Sequence, residues 1–191
     1  MVRPRRDSGI VPAKERLENT FWEMLAEMPS REMTVAAISS RAEVSHNTFY
    51  YYFKNIEDMT LELMEENFIP EFPLIALSAF EAGSLDFGQL ASNPETKRRF
   101  NRLCLLLGKN SSPWIQEILK KSVLSKVPET LGIDPATMDK DKRIFLTFVI
   151  GGFLSVLAEH EQGSDIIEPM VIMSSDFGKA VFEAMNSLRK T

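Results

Sequence analysis

Residues 46–52, His46-Asn47-Thr48-Phe49-Tyr50-Tyr51-Tyr52, put an imidazole, an amide, a hydroxyl and three phenols within seven positions. These groups donate and accept hydrogen bonds without forming an acid–base pair or an activated nucleophile, so the chemistry they suit is recognition. An amide donates and accepts at once, as the edge of adenine requires. Threonine and tyrosine bond phosphate oxygens and touch thymine methyl groups. Catalytic patterns are lacking. His46 and His160 are the only histidines, and no HExxH, GxSxG, phosphate-binding glycine loop or dinucleotide fingerprint occurs. Gly151-Gly152 sits inside an apolar run and cannot cradle phosphate. No side-chain set has metal-ligand spacing. The reading is a binding protein, not an enzyme, with no cofactor and no metal.

The elements that must position this stretch are helices. At 100° per residue, Ser45, Phe49, Tyr52 and Phe53 fall on one side of residues 45–54. Asn47, Thr48, Tyr50 and Tyr51 fall on the other, with His46 at the boundary. The phenylalanines are then core and the polar-tipped residues surface. Two readings stand for Tyr52, packing and contact. Upstream, Thr34 is an N-cap with Val35, Ile38 and Ala42 on one face. Three residues separate Arg41 from Ser45, the next cap, and two short helices joined so tightly make a helix-turn-helix. A preceding helix runs from about Pro12 to Met28 with Leu17, Phe21, Met24, Leu25 and Met28 in one stripe, and Pro29 stops it. Asn55 caps a fourth helix with Glu57 and Asp58 in its first turn, ending near Ile69. Backbone-directed contacts are open to Lys54, to Thr34 at a helix N-terminus, and to Arg3, Arg5 and Arg6, which form either a groove-reaching arm or a solubilising tail.

The segment TVAAISSRAEVSHNTFYYYFKNIEDM, 34–59, resembles the DNA-binding signature of TetR-type transcriptional regulators. The resemblance is strong over residues 12–66 and extends beyond them as an all-helical pattern of suitable length. It implies that His46, Asn47, Thr48, Tyr50, Tyr51 and Tyr52 align with DNA-contacting positions, and Thr34 and Lys54 with backbone-contacting ones. Three positions depart from the family pattern. Glu43 stands where the turn usually holds glycine, Pro29 where glycine is common, and Ile56 where a phosphate-binding lysine is frequent. A side chain at a left-handed turn position costs on the order of 1 kcal/mol.

The bulk composition bounds this reading, and an overall negative charge argues weakly against nucleic acid. The 191 residues are 44% hydrophobic and 26% charged, enough for one large domain or two small ones. Net charge is −5. Residues 1–56 carry eight Lys/Arg and seven Asp/Glu, and residues 57–66 five acids and no base, so any DNA contact is confined to a small face. A single cysteine, Cys104, fits a reducing compartment. The basic N-terminus lacks the apolar core of a signal peptide. The longest uncharged apolar run, residues 144–158, falls short of the roughly 20 residues that span a bilayer. The expectation is a cytoplasmic protein with no membrane segment.

Beyond a proline- and glycine-marked transition after residue 70, helices open at Asn93-Pro94 and end at Gly108, and open at Ser112-Pro113 and end before Pro128. A long helix covers about Met138 to Glu161, and Asp165 with Glu168 forms a capping box for a last one running to about Lys190. In the last two, Phe145, Val149, Gly152, Val156 and Met170, Phe177, Val181, Leu188 keep near 3–4 spacing, as a dimer interface or as a monomer core. The resemblance implies that both helices pair with their symmetry mates. Phe80, Phe100, Leu103, Cys104, Leu107, Trp114, Ile118 and Phe148 are apolar positions for an effector pocket, with ordinary core as the other reading. Cys104 is either a packed thiol or a redox sensor.

The fold class expected is all-α, about nine helices. An N-terminal three-helix DNA-binding domain with a helix-turn-helix covers 1–56, a connecting helix 57–69, and an effector-binding and dimerisation domain 70–191. The function expected is a ligand-responsive repressor acting as a homodimer on a palindromic double-stranded DNA operator, with an unknown small apolar effector. Helix four, through Met59 and Leu63, is expected to link the two units. The alternatives are a regulator without a small-molecule pocket, either constitutive or controlled by a protein partner, and a helical protein whose aromatic face binds protein.

Overall fold

The structure is a computed structural model that describes residues 11–67, 93–130, 132–134, 136, 138–159 and 175–189. Among the described residues it holds eight α-helices, one 3₁₀ turn and no strand. The chain divides into two compact units, Met1–Leu63 and Met64–Thr191.

In the first unit, α1 spans Ala13–Glu27. It stops because Met28 precedes Pro29 and is driven to extended backbone (φ −141°, ψ 157°). A 3₁₀ turn, Ser30–Glu32, leads to α2, Val35–Arg41, and then α3, His46–Tyr52. Both short helices are opened by hydroxyl caps. Thr34 accepts from the Ala37 N–H at 3.1 Å, and Ser45 from the Thr48 N–H at 3.1 Å. Asn55 Oδ1 accepts the Asp58 N–H at 2.8 Å and opens α4, Ile56–Asn67, while Asp58 accepts the Lys54 N–H at 2.9 Å. Seven-residue helices do not stand alone, so packing holds them. Helices α1, α2 and α3 touch pairwise around Leu17, Phe21, Leu25, Ile38, Phe49 and Phe53, each 1% exposed or less. Met59 and Leu63 of α4 are equally buried and lie in the first unit.

The turn between α2 and α3 has a definite geometry. The Val44 N–H donates to the Ser39 carbonyl at 2.9 Å and the Glu43 N–H to the Ser40 carbonyl at 3.1 Å. This is the paired closure of a Schellman motif, which needs a left-handed residue one place past the cap. Glu43 occupies that place at φ +54°, as the sequence leads one to expect.

In the second unit, α5 spans Pro94–Leu107, α6 Pro113–Thr130, α7 Lys140–Ala158 and α8 Asp176–Arg189. Asn93 caps α5, and the Gln116 amide donates to the Leu107 carbonyl at 2.8 Å at its other end. Helix α5 packs on α6 and α7, and α7 also on α6 and α8. The core gathers Phe100, Leu106, Leu119, Leu154, Leu157 and Phe182.

Two boundaries differ from the sequence reading. Helix α6 does not end before Pro128 but runs on to Thr130. Pro128 lacks the N–H for one backbone bond, yet the helix continues past it, and the terminator is Gly132. At φ +71° it completes a second Schellman closure, with the Ile133 N–H on the Pro128 carbonyl at 2.9 Å and the Gly132 N–H on Glu129 at 3.0 Å. The last helix is not continuous from Asp165. It starts at Asp176, where Ser175 Oγ accepts the Gly178 N–H at 3.2 Å. The capping box at Asp165 and Glu168, the helix-four end near Ile69 and any helix between 70 and 92 lie outside the described residues.

Glu43→Gly should raise unfolding free energy by about 1 kcal/mol and Tm by roughly 2–4 °C, because glycine meets no Cβ penalty at left-handed φ. Glu43→Ala keeps the Cβ and should show no such gain; thermal unfolding of both variants decides the point.

Candidate nucleic-acid interface

Helix α3 turns its phenyl groups inward. The Phe49 and Phe53 rings lie 5.7 Å apart and are completely buried. With that side fixed, the opposite one is forced outward. His46, Asn47, Tyr50 and Tyr51 are exposed, Tyr51 at 80% and Tyr50 at 58%. Thr48 is half-buried, its hydroxyl 2.8 Å from Ser45 Oγ. Tyr52 is half-buried as well, and its position joins the two sequence readings. Its ring leans on Phe53 at 6.3 Å and meets Tyr51 edge-on at 4.9 Å and 86°. Tyr52 thereby props the most exposed aromatic of the helix against the core.

The positive groups around this face are largely engaged. Residues 11–63 hold five Lys/Arg and nine Asp/Glu. Arg41 grips Glu27 with both ends of its guanidinium, the closer-set pair aside at 2.7 Å, and reaches Glu23 at 3.4 Å, tying α2 to α1. The fork of hydrogen bonds holds the Glu27 carboxyl below its usual range, and the same bonds push the Arg41 value up. Lys14 sits 2.6 Å from Glu62 and 3.3 Å from Glu18, with its ammonium 5.9 Å from the Phe53 ring centroid. Sequence reasoning missed Lys14, because its partner on α4 is 48 positions away and no local pattern connects them. Lys54 is exposed just past α3, 4.0 Å from Asp58. Thr34 is exposed at the start of α2; its oxygen accepts from Ala37, which leaves the hydroxyl proton to donate outward. Arg3, Arg5 and Arg6 lie outside the described residues.

Two capped helices, a tight turn, and a second helix with a buried aromatic back and an exposed amide-and-phenol front form a helix-turn-helix. Residues 22–63, from α1 through the first-unit part of α4, match the family described as bacterial regulatory proteins, tetR family. Over these residues the chain is similar to the DNA-binding domain of the TetR family. That family is one of DNA-binding transcriptional regulators. No match is found among the curated proteins or the solved structures.

Outside the TetR domain, the second unit sorts the remaining sequence-selected residues by exposure. Phe100, Cys104 and Leu107 are buried, Leu103 and Ile118 half-buried, and Trp114 and Phe148 exposed, the latter at 73%. The set thus spans buried and exposed positions of the described residues. Phe80 lies outside them. An open groove of about 250 Å³ is instead lined by Leu124, Pro128, Met138, Arg143, Leu146 and Thr147. Of the residues selected for a dimer face, Gly152, Val156 and Phe177 are exposed and Phe145, Val149 and Val181 half-buried. Met170 and the side chain of Leu188 lie outside the described residues. Ile144, at 56% exposure, joins this face and was missed, because a buried row and an exposed row share the same apolar run. Among the described residues no helix is long and apolar enough to cross a membrane, and no group of three or more His, Cys, Asp and Glu is placed to hold a metal.

Cys104 is buried, and that burial pushes its thiol up to about 12. At pH 8 the native protein should therefore fail to react with a disulfide reagent over the time in which the protein unfolded in guanidinium releases one equivalent. Prompt reaction of the native state would refute this placement of the thiol.

Proposed function

We propose that this TetR-domain protein is a sequence-specific repressor that binds a palindromic operator as a homodimer and releases it on binding a small apolar effector. The carrying observation is the outward face of α3, with Asn47, Tyr50 and Tyr51 exposed over a buried Phe49–Phe53 back. Such a helix fits the major groove, with side chains on base edges and Thr34 and Lys54 toward phosphates. The arm with Arg3, Arg5 and Arg6 is proposed to add backbone or minor-groove contacts. These are the roles for a protein working in the cytoplasm.

Pairing is supported by α7. Ile144, Phe148, Gly152 and Val156 recur every fourth residue, so they form one ridge, and all four are exposed. Gly152 is open: a Cβ built there meets no atom of the described residues within 4 Å. Glycine in mid-helix costs about 1 kcal/mol against alanine, a cost that close approach of a second helix would offset. Phe177 of α8, 65% exposed, extends the apolar surface. A dimer of this kind sets two α3 helices on half-sites about 34 Å apart. An effector that binds one spacing of the reading heads better than the other would shift the population away from operator-competent dimers. Complete switching from 99:1 to 1:99 needs about 5.5 kcal/mol of differential affinity.

Binding to duplexes selected from a random pool should weaken linearly on a log–log plot as salt rises. Tyr51→Ala and Asn47→Ala should each reduce affinity by about ten-fold or more, with circular dichroism unchanged. Equal affinity of both variants and the parent would point instead to an aromatic face that binds protein.

Phe148→Glu should leave the helical content intact and convert the dimer to a monomer in sedimentation, since its ring is exposed within one chain. Sedimentation unchanged from the parent would remove the α7 ridge from the interface.

A further inference from the structure

Helix α3, His46 to Tyr52, contains no lysine, arginine, aspartate or glutamate. Its exposed groups are one imidazole, one amide and two phenols. The four base edges in a major groove ask for different chemistry. Guanine offers two acceptors and is read chiefly by a cation that donates to both. Cytosine offers an amino donor, which a carboxylate accepts. Adenine offers a donor beside an acceptor, which only an amide matches in both senses. Thymine offers an acceptor and a methyl group, which a phenol can meet with its hydroxyl and its ring.

The cations nearby do not change this assignment. Arg41 is held in a fork by Glu27 and shared with Glu23. Lys14 is held by Glu62 and Glu18. Lys54 follows the end of α3, seven positions beyond Asn47 and past the extended residue Phe53. Tyr51, by contrast, is fixed edge-on by Tyr52 and presents its ring to solvent.

We propose that α3 reads a half-site whose central pairs are A·T, with the Asn47 amide on an adenine and the Tyr51 ring against a thymine methyl. His46, in the first turn, is the one side chain of the helix suited to a guanine, so any G·C pair read by α3 lies at that end. This inference rests on the DNA-reading role proposed above and narrows it to a class of sequence.

The test uses the full-length protein and the tightest duplex selected from a random pool. Positions read by α3 are those where base preference relaxes in Asn47→Ala and Tyr51→Ala, and these should be A·T. Replacing the thymine there by deoxyuracil, which lacks the methyl, should weaken the parent about four-fold and leave Tyr51→Ala unaffected. Tyr51→Phe, which keeps the ring, should retain the discrimination. Replacing the adenine by 7-deazaadenine, which lacks the N7 acceptor, should weaken the parent about five-fold or more and leave Asn47→Ala unaffected. Relaxation at G·C pairs, or equal losses with parent and variants, overturns the inference while the regulator reading survives. A pool that yields no bound duplex overturns both.

Discussion

The burial of two phenylalanine rings one helical turn apart is the constraint on which the first unit depends. Helix α3 has seven residues, well under the roughly 12–15 at which a helix persists in water. It exists because Phe49 and Phe53 are locked against α1 and α2. Burying each ring contributes about 2–3 kcal/mol, more than the Ser45 cap at about 1 kcal/mol. The same pair fixes the rotation of the helix about its axis. With 49 and 53 inward, 47, 50 and 51 have only solvent to face. Core packing and the composition of the outward face are thus one decision, made by the four-residue spacing.

Charge follows a second logic. An acidic protein that meets a polyanion needs its binding face shielded from its own carboxylates. The described cations of the first unit do little of that directly. Arg41 and Lys14 neutralise carboxylates on α1 and α4 and brace the helices behind α3. A DNA-reading role would then draw its specificity from short-range contacts at neutral side chains. The long-range attraction would fall to Lys54, the exposed Arg31 and the three arginines near the N-terminus.

Much of this was legible in the sequence, and the reasons for what was not are specific. The helix-turn-helix could be read because its signals are local: Thr34 and Ser45 as caps, Phe49 and Phe53 at one-turn spacing, and Glu43 in the place where a turn needs positive φ. The proline rule misjudged Pro128, since a proline removes one backbone bond without obliging the helix to end there, and Gly132 four residues on carried the true signal. The start at Asp176 was hidden because the apolar spacing runs through Ser175 without interruption. Tyr52 was ambiguous since 100° steps place it with Phe49 and Phe53 while its phenol hydroxyl suits contact. Only ring geometry showed that it supports Tyr51. Lys14 and Arg41 found partners on other helices, which periodicity does not encode. The pocket set could not be told from ordinary core for a related reason. Apolar type marks burial of some kind, and it does not distinguish the inside of a unit from a surface meant to be covered.

That last distinction is sharpest on α7. Leu146, Ile150, Leu154 and Leu157 are buried against neighbouring helices, and Ile144, Phe148, Gly152 and Val156 run along the exposed side. A helix apolar on both sides belongs in an interior. Here one chain supplies only half of that interior among its described residues. Leaving Ile144, Phe148 and Phe177 in water forgoes roughly 2 kcal/mol each that burial would return. The glycine in the ridge weakens the helix with no contact among the described residues to justify it. Both costs vanish when a second helix lies along the ridge, with the small residue at the point of closest approach and the large ones on either side. A symmetric pairing also makes one ridge sufficient, because each copy presents the same surface to the other. Two copies joined in this way would carry two α3 helices related by a twofold axis, and a palindrome is the DNA sequence with that same symmetry.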